Sequence, residues 1–438
     1  MTSTRYFEEI VQDKSCHDYF ILKNQIVRDV TTNFRGKRLD CFDGHTWTTR
    51  LIDLFQHNTK NGKPRLNTIS QKKVEKYYIS HQSSQITHKE YEYAHRLFSP
   101  EVIKDSIYSI SEMMPFLDRL HDLEIRFRIL NEDQVYRNNF GSFKRRMFRA
   151  NSLAIAYQLG AQVPVGYFEI FDADLTNLSG IVNEACAEIY KDLSFLKAKH
   201  YRGSKECKCI FSPEVTGLFV HECVGHSYEA DYYFSHKNHS SIGDAVVPRR
   251  LQEYISIVDY GGIRGSGYTP FDDEGTDACK TYIIRRGRVS ELLTNSHYAR
   301  LRHQSVSSGN ARGKSIFDPN LIRMTTTYMD KGNQSVEALF GSVDEGIYIE
   351  TSQGAFLKDK FYLIPRRAYQ IRKGRIKEPV SISCVSGRVN ELLYSISGIS
   401  NTVRFRNSLY GGCRKLNQDH LRVAYGGPYL SIDAVTIS

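Results

Sequence analysis

Two histidines separated by five positions are the residues of this sequence best suited to hold a metal ion. His221 and His226 lie in the stretch GLFVHECVGHSYEAD (residues 217–231), and Glu222 follows the first of them. Imidazole nitrogens are common zinc ligands, and a glutamate beside such a ligand is placed to take a proton from water. The usual H-E-x-x-H spacing is one residue shorter. Whether both rings reach one ion therefore depends on the helix that carries them.

The residues before the histidines predict a helix that begins at Ser212. Ser212 suits the N-cap, Pro213 suits the first helical position, and Glu214 is an acid near the positive end of the helix dipole. On a regular α-helix, residues five apart point about 140° away from each other, so the two imidazoles diverge. In π geometry, with about 4.4 residues per turn, they return to within about 50°. We therefore predict a wide turn, for which Gly225 supplies backbone freedom.

Spacing alone does not choose a third ligand. The alternative interpretation is two unrelated histidines, one in a core and one at a helix end, with the free thiols buried as packing residues. A run of acids in the loop at residues 272–274 either lines a cleft, where it would bind a peptide amine, or collects there as acids do in turns. The candidates for further ligands are Cys413, Glu229, Asp231, His236, His239 and His420.

The elements around the motif predict an α+β fold in two domains, because 438 residues exceed a usual single domain. EIRFRIL (124–130), SLAIAYQL (152–159) and VGYFEIF (165–171) alternate like strands, and IVNEACAEIYKDL (181–193) has helical spacing. We expect residues 1–203 to form an α/β layer domain with an antiparallel sheet. Residues 204–438 are expected to form a mostly antiparallel β domain that carries the metal-binding helix. The polar segment 197–206 suggests the boundary.

Other segments give local predictions. Residues 1–85 carry no recognisable chemistry, and the polar stretch 58–76 is typical of a loop. Residues 87–120 have helical spacing that breaks near Ser99 and Pro100. TYIIRRGRV (281–289) and AYQIRKGRI (368–376) each predict a hairpin closed by a glycine, Gly287 or Gly374.

The net charge of +10 raises the question of a nucleic-acid partner. Basic residues cluster only at 143–149, 283–288 and 364–377, each within strand-like alternation, which favours solvated sheet faces over a nucleic-acid interface. No apolar run approaches the ~18 residues of a membrane helix, and the first residues lack a basic segment followed by an apolar one. Nine cysteines without a framework spacing are typical of a reducing compartment. We therefore expect a cytoplasmic protein with no membrane partner.

The histidine motif and the segments after it resemble the zinc-binding TldD branch of the TldD/PmbA family of metallopeptidases. FVHECVGHSYEADYY (219–233) is similar to the family's metal motif. The likeness covers residues 205–435 well and residues 130–204 in general layout. Further similar segments follow in the family's order: FDDEGT (271–276), SSGNAR (307–312), RMTTTYMDKG (323–332), VDEGIYIE (343–350) and GGCRKLNQDHLRVAYGGP (411–428).

The resemblance implies a zinc site formed by His221, His226 and Cys413, with Glu222 as the catalytic glutamate. Two imidazoles and one thiolate leave a fourth tetrahedral position for water, as in catalytic zinc sites. The resemblance thus implies a zinc-dependent metallopeptidase that hydrolyses unfolded or small peptides by metal-activated water, with Glu222 as general base. It also implies a homodimer or a heterodimer with a related TldD/PmbA-like subunit.

The competing hypothesis is a non-catalytic binding subunit or a nucleic-acid-associated protein of the gyrase-modulator kind. Its main support is the net charge of +10. The presence of the three candidate ligands together with Glu222 argues against it, so a nucleic-acid partner is not expected. Arginines and lysines in IPRRAYQIRKGRIK (364–377) suggest that the peptide substrate is acidic.

Overall fold

The computed structural model describes residues 18–35, 38–56, 65–68, 87–94, 98–115, 120–138, 142–160, 165–236, 240–314, 318–358 and 360–438. It has a mixed α/β fold in which sheets dominate and helices pack against them. The part of the predicted loop 58–76 that is described is a short strand, Arg65–Thr68, and the rest of that prediction lies outside the described residues. The division of the chain at residue 203 stays a prediction.

The strands of the first sheet are β1 (Asp18–Arg35), β2 (Arg38–Gln56), β3 (Arg65–Thr68), β4 (Thr87–Ala94), β5 (Asp122–Asn138), β6 (Ser142–Gln158) and β7 (Gly166–Phe171). The later strands are β8 (Lys199–His200), β9 (Glu206–Phe211), β10 (Ile257–Asp259), β11 (Thr281–Arg285), β12 (Arg288–Val289), β13 (Ala311–Arg312), β14 (Leu321–Ile322), β15 (Thr326–Met329), β16 (Glu345–Leu357), β17 (Phe361–Arg372), β18 (Arg375–Ser381), β19 (Val385–Gly387), β20 (Ile396–Ile399), β21 (Arg404–Arg406), β22 (Cys413–Lys415), β23 (Gln418–Leu421), β24 (Ala424–Gly427) and β25 (Leu430–Ile437).

The helices are α1 (Pro100–Glu112), α2 (Leu178–Phe195), α3 (Pro213–Phe219), a π-helical turn (Val220–Gly225), two 3-10 turns (His226–Tyr228 and Arg249–Tyr254), α4 (Ala230–Ser235), α5 (Ser296–Leu301), α6 (Val336–Gly341) and α7 (Val389–Tyr394).

The first sheet has the strand order β3-β2-β1-β5-β6-β4, with β7 paired to β6. Its pairs are antiparallel except for β4, which runs parallel to β6. The apolar sides of α1 and α2 share one buried cluster with the inward residues of β5 and β6, which is the layer arrangement predicted for this part of the chain. The predicted strands 124–130, 152–159 and 165–171 and the predicted helix 181–193 are confirmed within β5, β6, β7 and α2.

The helical prediction for residues 87–120 is wrong in its first part. Residues Thr87–Ala94 form β4, since the segment alternates in period two and places Tyr93 inward, where its ring stacks on Phe148 at 5.0 Å between centroids. The second part is correct because α1 follows a capping serine: the hydroxyl of Ser99 accepts a hydrogen bond from the backbone N–H of Val102.

The second half of the chain forms two larger sheets. One has the order β16-β9-β25-β19-β17-β18-β8, with β20 on β25 and a further pairing of β16 with β17, and the other has the order β12-β11-β10-β15-β24-β21. The pairs β9–β16, β15–β24 and β8–β18 are parallel, so these sheets are more mixed than expected. Parallel neighbours require long crossover connections, and such distant pairings leave little local trace in a sequence.

Both predicted hairpins are confirmed. In the first, Arg285 pairs with Arg288 across a two-residue turn, and in the second, Arg372 pairs with Arg375. The turn residues, including Gly287 and Gly374, have positive φ angles, as a type I′ turn requires.

The basic clusters are not simply solvated sheet faces. Arg146 on β6 is 4% exposed and donates to the carbonyl of Phe271, which joins the first sheet to a loop of the second half. Arg367 on β17 is 3% exposed and pairs with carboxylates of α2 and β16. Part of the positive charge is therefore used in internal contacts, because a buried guanidinium needs several acceptors around it.

Helix α3 lies in the main core between the two larger sheets. Val215, Phe219 and Val220 are completely buried in a cluster that includes residues from both. The helix approaches β24 very closely: a Cβ atom at Gly217 would lie 2.6 Å from the backbone nitrogen of Gly426. The end of this helix is thus held rigidly in the interior, where the histidine pair follows.

Among the described residues, no helix combines the length and the apolar character that crossing a membrane requires.

Candidate metal centre

The helix that carries the histidines begins and widens as the sequence predicts. The Ser212 hydroxyl accepts a hydrogen bond from the backbone N–H of Val215, at 3.2 Å, and Pro213 occupies the first turn. From Val220 to Gly225 the backbone is π-helical, and the N–H of His226 donates to the carbonyl of His221, five residues earlier. The extra residue per turn returns the second histidine to the side of the first.

Gly225 has a different role from the one predicted. Its φ and ψ angles are −53° and −59°, which any residue adopts, so backbone freedom is not the reason for a glycine here. A Cβ atom at this position would lie 1.9 Å from Sδ of Met324, which is completely buried. The glycine is required for close packing of the π turn against the segment that leads into β15.

The structure brings His221, His226 and Cys413 together. The two imidazole centroids are 5.1 Å apart with their planes at 82°, and Sγ of Cys413 lies 3.3 Å from Nε2 of His226. One donor atom from each of the three side chains falls within 4.8 Å of the others. Cys413 is the first residue of β22, which pairs with β23 in a hairpin of its own.

This donor set fits zinc. Zinc–nitrogen bonds of about 2.05 Å and a zinc–sulfur bond of about 2.3 Å place tetrahedral N and S ligands about 3.5 Å apart, close to the observed separation of Cys413 and His226. His221 is 3% exposed, and its buried Nδ1 has no hydrogen-bond partner in the described structure. Nearly all buried polar atoms are satisfied, so an unpartnered nitrogen on a ring 5.1 Å from a second imidazole is chemically consistent with a bound cation.

The other candidate ligands lie elsewhere or face other partners. His236 stacks on Tyr232 at 3.9 Å between ring centroids, His420 is exposed on β23, and His239 lies outside the described residues. Glu229 and Asp231 lie near the cluster, but both accept hydrogen bonds from Lys415. Within the described part of the chain, His221, His226 and Cys413 are the group with metal-ligand geometry.

Glu229 contacts the ring nitrogen of His226 opposite the one that faces Cys413. Its Oε2 lies 3.1 Å from Nδ1 of His226, and Glu229 is 1% exposed. A carboxylate can only accept, so Nδ1 carries a proton, and Nε2, which faces Cys413, is the nitrogen that a metal ion would bind. This is the arrangement in which a histidine presents one nitrogen to a metal and binds an acid with the other.

The charges within the cluster shift the pKa values of its members. Burial lowers the pKa of His226, but Glu229 and Cys413 outweigh it and raise the pKa well above the ordinary histidine value. Burial raises the pKa of the Cys413 thiol, whereas the charge of His226 and hydrogen bonds from both histidines lower it, and the net pKa is well below that of a free thiol. The sulfur is therefore readily available as a thiolate, the form that binds metal.

Glu222 follows the first histidine and is half-buried. Burial raises the pKa of its carboxyl, His221 and His226 lower it, Cys413 raises it, and the net pKa is above the usual glutamate value. A carboxyl whose pKa moves towards neutrality exchanges protons more evenly with its surroundings, which suits proton transfer.

The part of the chain that contains these residues is similar to known proteins. Residues 204–438, more than half of the chain, match the model of the PmbA/TldA metallopeptidase C-terminal domain. The chain belongs to the TldD/PmbA family.

Curated relatives of this TldD/PmbA protein carry metalloprotease names. A metalloprotease of Synechocystis is 32% identical over 60% of this chain and 56% of the relative. A protein of Saccharolobus solfataricus named zinc metalloprotease TldD homolog is 26% identical over 76% of each chain. The matches span 56% and 48% of the relatives from Synechocystis and Methanothermobacter thermautotrophicus, so they extend over about half of those proteins.

Solved structures share the fold. TldE of Thermococcus kodakarensis superposes with a TM-score of 0.67 at 16% identity, over 96% of both chains. A Thermotoga maritima protein described as a proposed modulator of a DNA gyrase gives a TM-score of 0.68 at 16% identity, also over 96% of both chains. At 16% identity, this structural similarity establishes only that the chain shares the mixed α/β fold of these proteins.

The acidic run at residues 272–274 takes part in hydrogen bonds inside the protein. Asp272 and Asp273 are 0% and 2% exposed, and they accept hydrogen bonds from the backbone N–H groups of Ala311 and Gly313. Burial raises the pKa of Asp272 well above the usual aspartate value. Asp272 and Asp273 are therefore used in internal hydrogen bonds, and a role of the run 272–274 in binding a peptide amine stays a prediction.

Sequence reasoning missed the two basic residues that hold the Cys413 hairpin. Arg323 is fully buried and donates to the carbonyl of Cys413 at 2.7 Å, while Lys415 donates to Glu229 and Asp231. Lys415 follows Cys413 by two positions, and alternate residues of a strand share a face. That spacing is the signal in the sequence that would have indicated Lys415.

Proposed function

We propose that this protein is a zinc metallopeptidase that hydrolyses peptide bonds of small or unfolded peptides. The observation that carries the proposal is the convergence of His221, His226 and Cys413 donor atoms within 4.8 Å, with Glu222 next to the first ligand. The metalloprotease names of the curated relatives support it.

In this mechanism, the imidazole nitrogens of His221 and His226 and the thiolate of Cys413 would hold a zinc ion. A bound zinc ion supplies Lewis acidity, which lets water react with a peptide carbonyl near neutral pH. Glu222 takes the proton from the attacking water and delivers it to the leaving amine nitrogen.

The decisive experiment replaces Glu222 by glutamine, which keeps the size of the side chain and removes its ability to take a proton. We expect Glu222→Gln to bind one zinc ion like the wild type and to lose about 10²–10⁴-fold in the rate of peptide hydrolysis. Zinc content is measured by elemental analysis and cleavage by mass spectrometry of an unstructured peptide library.

The matched control is Glu391→Gln, an exposed glutamate on α7, which should retain both zinc and activity. Equal hydrolysis by the wild type and Glu222→Gln, or a wild type that binds no zinc, would refute the proposal.

We do not extend the proposal to acidic peptides as the preferred substrate. Arg366 and Arg367, in the segment that suggested them, are paired with Asp192, Glu188 and Glu350 inside the protein. Their charges are compensated before any substrate binds. The same compensation weakens the case for a nucleic-acid partner, which depended on the net charge.

We also propose that the protein assembles with a like or related TldD/PmbA subunit. The support is membership of the family, whose implied assembly is a dimer. Light scattering of the purified chain, alone and mixed with a related subunit, measures the mass directly, and a monomer under both conditions contradicts the proposal.

A further inference from the structure

The side chain of Lys415 connects the two segments that carry the candidate ligands. Its Nζ donates to Oε2 of Glu229 at 2.8 Å, to Oδ1 of Asp231 at 2.8 Å and to the carbonyl of Ile322 at 3.0 Å. Glu229 in turn accepts from Nδ1 of His226 at 3.1 Å. Lys415 is thus linked through Glu229 to the candidate ligand His226, and it lies two residues along β22 from the candidate ligand Cys413.

The Cys413 hairpin depends on such side-chain contacts. Strand β22 pairs only with β23 in the described structure and joins neither of the larger sheets. A two-stranded hairpin on its own is marginally stable, so its position relative to α3 and the π turn is set by what its side chains and carbonyls bind. Arg323 holds the carbonyl of Cys413, and Lys415 adds a second contact to the histidine side of the site, beside that of the Cys413 sulfur.

The charges give the contact a second effect. Glu229 is 1% exposed, and a buried carboxylate is costly unless a cation compensates it. The ammonium of Lys415, 13% exposed and 2.8 Å from Oε2 of Glu229, supplies a compensating charge beside this carboxylate.

We propose that Lys415 is a positioning residue that locks the Cys413 hairpin to the Glu229–His226 pair, so that thiolate and imidazole are assembled before the metal binds. The inference rests on the proposed metal site and assigns to it an outer contact between the two ligand-bearing segments. Asp231 serves as the second anchor of the same ammonium.

The test measures metal affinity and the metal environment rather than activity. Lys415→Met keeps the length of the side chain and removes the charge. We expect its zinc affinity, from competition with a chromophoric chelator, to fall by about 10–100-fold, the range typical of outer-shell partners of metal ligands. In the cobalt-substituted protein, we expect the thiolate-to-cobalt charge-transfer absorption to weaken, because Cys413 is no longer held at bonding distance.

The matched control is Lys208→Met, which removes a lysine of β9 whose Nζ pairs with Asp433 at 2.9 Å away from the site. It should match the wild type in zinc affinity and cobalt spectrum. If the wild type binds zinc and Lys415→Met binds it equally well with an unchanged cobalt spectrum, the positioning role is overturned while the proposed function stands. If the wild type itself binds no zinc, the proposed function fails first and the inference fails with it.

A measurement on the metal-free protein tests whether Lys415 positions the Cys413 hairpin when no metal is bound. Cys413 is 4% exposed, so its alkylation by iodoacetamide, followed by peptide mass spectrometry, reports opening of the hairpin. We expect Lys415→Met to accelerate this reaction several-fold and Lys208→Met to leave it unchanged, and equal rates in all three proteins would contradict the inference. Should Lys415→Met not fold, Asp231→Asn, which removes one of the two carboxylate charges that hold the ammonium, should show the same faster alkylation and weaker zinc binding.

Discussion

At the scale of single residues, the chemistry of the site depends on the thiol of Cys413. Its contacts with two imidazoles favour the thiolate, although burial alone disfavours a charge. The sequence by itself left this residue level with other candidates, and the resemblance to the TldD/PmbA family selected it. The structure places its sulfur 3.3 Å from Nε2 of His226, which distinguishes it from a cysteine that only fills space.

Replacement of Cys413 by serine tests this ligand. We expect Cys413→Ser to lose zinc affinity by more than the about 10–100-fold that outer-shell changes cause, because a hydroxyl remains protonated where a thiol ionises. Chelator competition measures the loss. Cys279→Ser, at an exposed thiol, is the control and should bind zinc like the wild type. Equal affinity in both variants would mean that Cys413 is a packing residue.

At the scale of elements, the π turn decides whether two histidines five positions apart converge. The spacing predicted it on the condition that both histidines bind one ion, because helix geometry relates sequence separation to side-chain direction. The reason for Gly225 was not predictable, since it lies in the contact with Met324, a residue from a distant strand connection.

A substitution at Gly225 tests the packing explanation for the glycine. Because the backbone angles of Gly225 are helical, Gly225→Ala would stabilise the helix by up to about 1 kcal/mol if no side chain lay against this position. We expect instead a loss of about 1–3 kcal/mol in the free energy of unfolding, because the new Cβ overlaps Met324 in a filled core. Urea denaturation measures the change.

The double variant Gly225→Ala with Met324→Ala controls for this overlap. It should be more stable than the sum of the two single changes predicts, because the shorter side chain removes the clash. Simple additivity would show that the cost of the alanine does not come from Met324.

At the scale of the whole molecule, a cluster of charges joins the first part of the chain to the second. Arg367 on β17 pairs with Glu188 and Asp192 of α2, at 2.7 and 2.9 Å, and with Glu350 of β16 at 2.7 Å. Each carboxylate is mostly buried, so the guanidinium compensates charges that water does not reach freely. The clusters of basic residues in the sequence therefore serve to hold the layers together.

Removal of Arg367 should weaken this connection. We expect Arg367→Met to reduce the free energy of unfolding by about 1.5–3 kcal/mol, because its charged hydrogen bonds to three carboxylates are lost while Arg366 and Lys191 still compensate part of their charge. Arg372→Met, at the end of the same strand, breaks an ion pair with Glu378 that is more than half exposed and should cost less than about 1 kcal/mol. Similar urea midpoints for the two variants would show that the buried cluster is not an important tie.

The same cluster predicts a pH dependence of stability. Burial raises the pKa of Glu188, but the hydrogen bond from Lys191 and the charge of Arg367 outweigh it, so the folded pKa lies below the ordinary value. The unfolded state then binds more protons, and the contribution to stability is present above about pH 4.3 and is lost as the pH falls through the lowered pKa. Urea midpoints between about pH 3 and pH 7 should fall less steeply on acidification in Arg367→Met than in the wild type. Parallel curves would contradict this assignment.

The fold was predictable where the signal is local. Strands β6 and β7, helix α2, the two hairpins and the start of α3 follow from alternation, helical spacing, turn glycines and a capping serine, all of which operate within a few residues. Strand β4 was mistaken for a helix, and the parallel pairs were not foreseen. Both depend on partners far away along the chain, and a short segment with mixed periodicity carries no information about them.

The sequence alone determined that a helix beginning at Ser212 carries His221, Glu222 and His226, and that only a wide turn would let both rings reach one ion, because the direction of each side chain follows from its position on the helix. Only the tertiary structure decided that Cys413, 187 residues beyond His226, would meet them, and that Lys415 would reach the acid behind the ring. Contacts of this kind arise when separate segments pack against a common core, and they have no counterpart in the local spacing of residues.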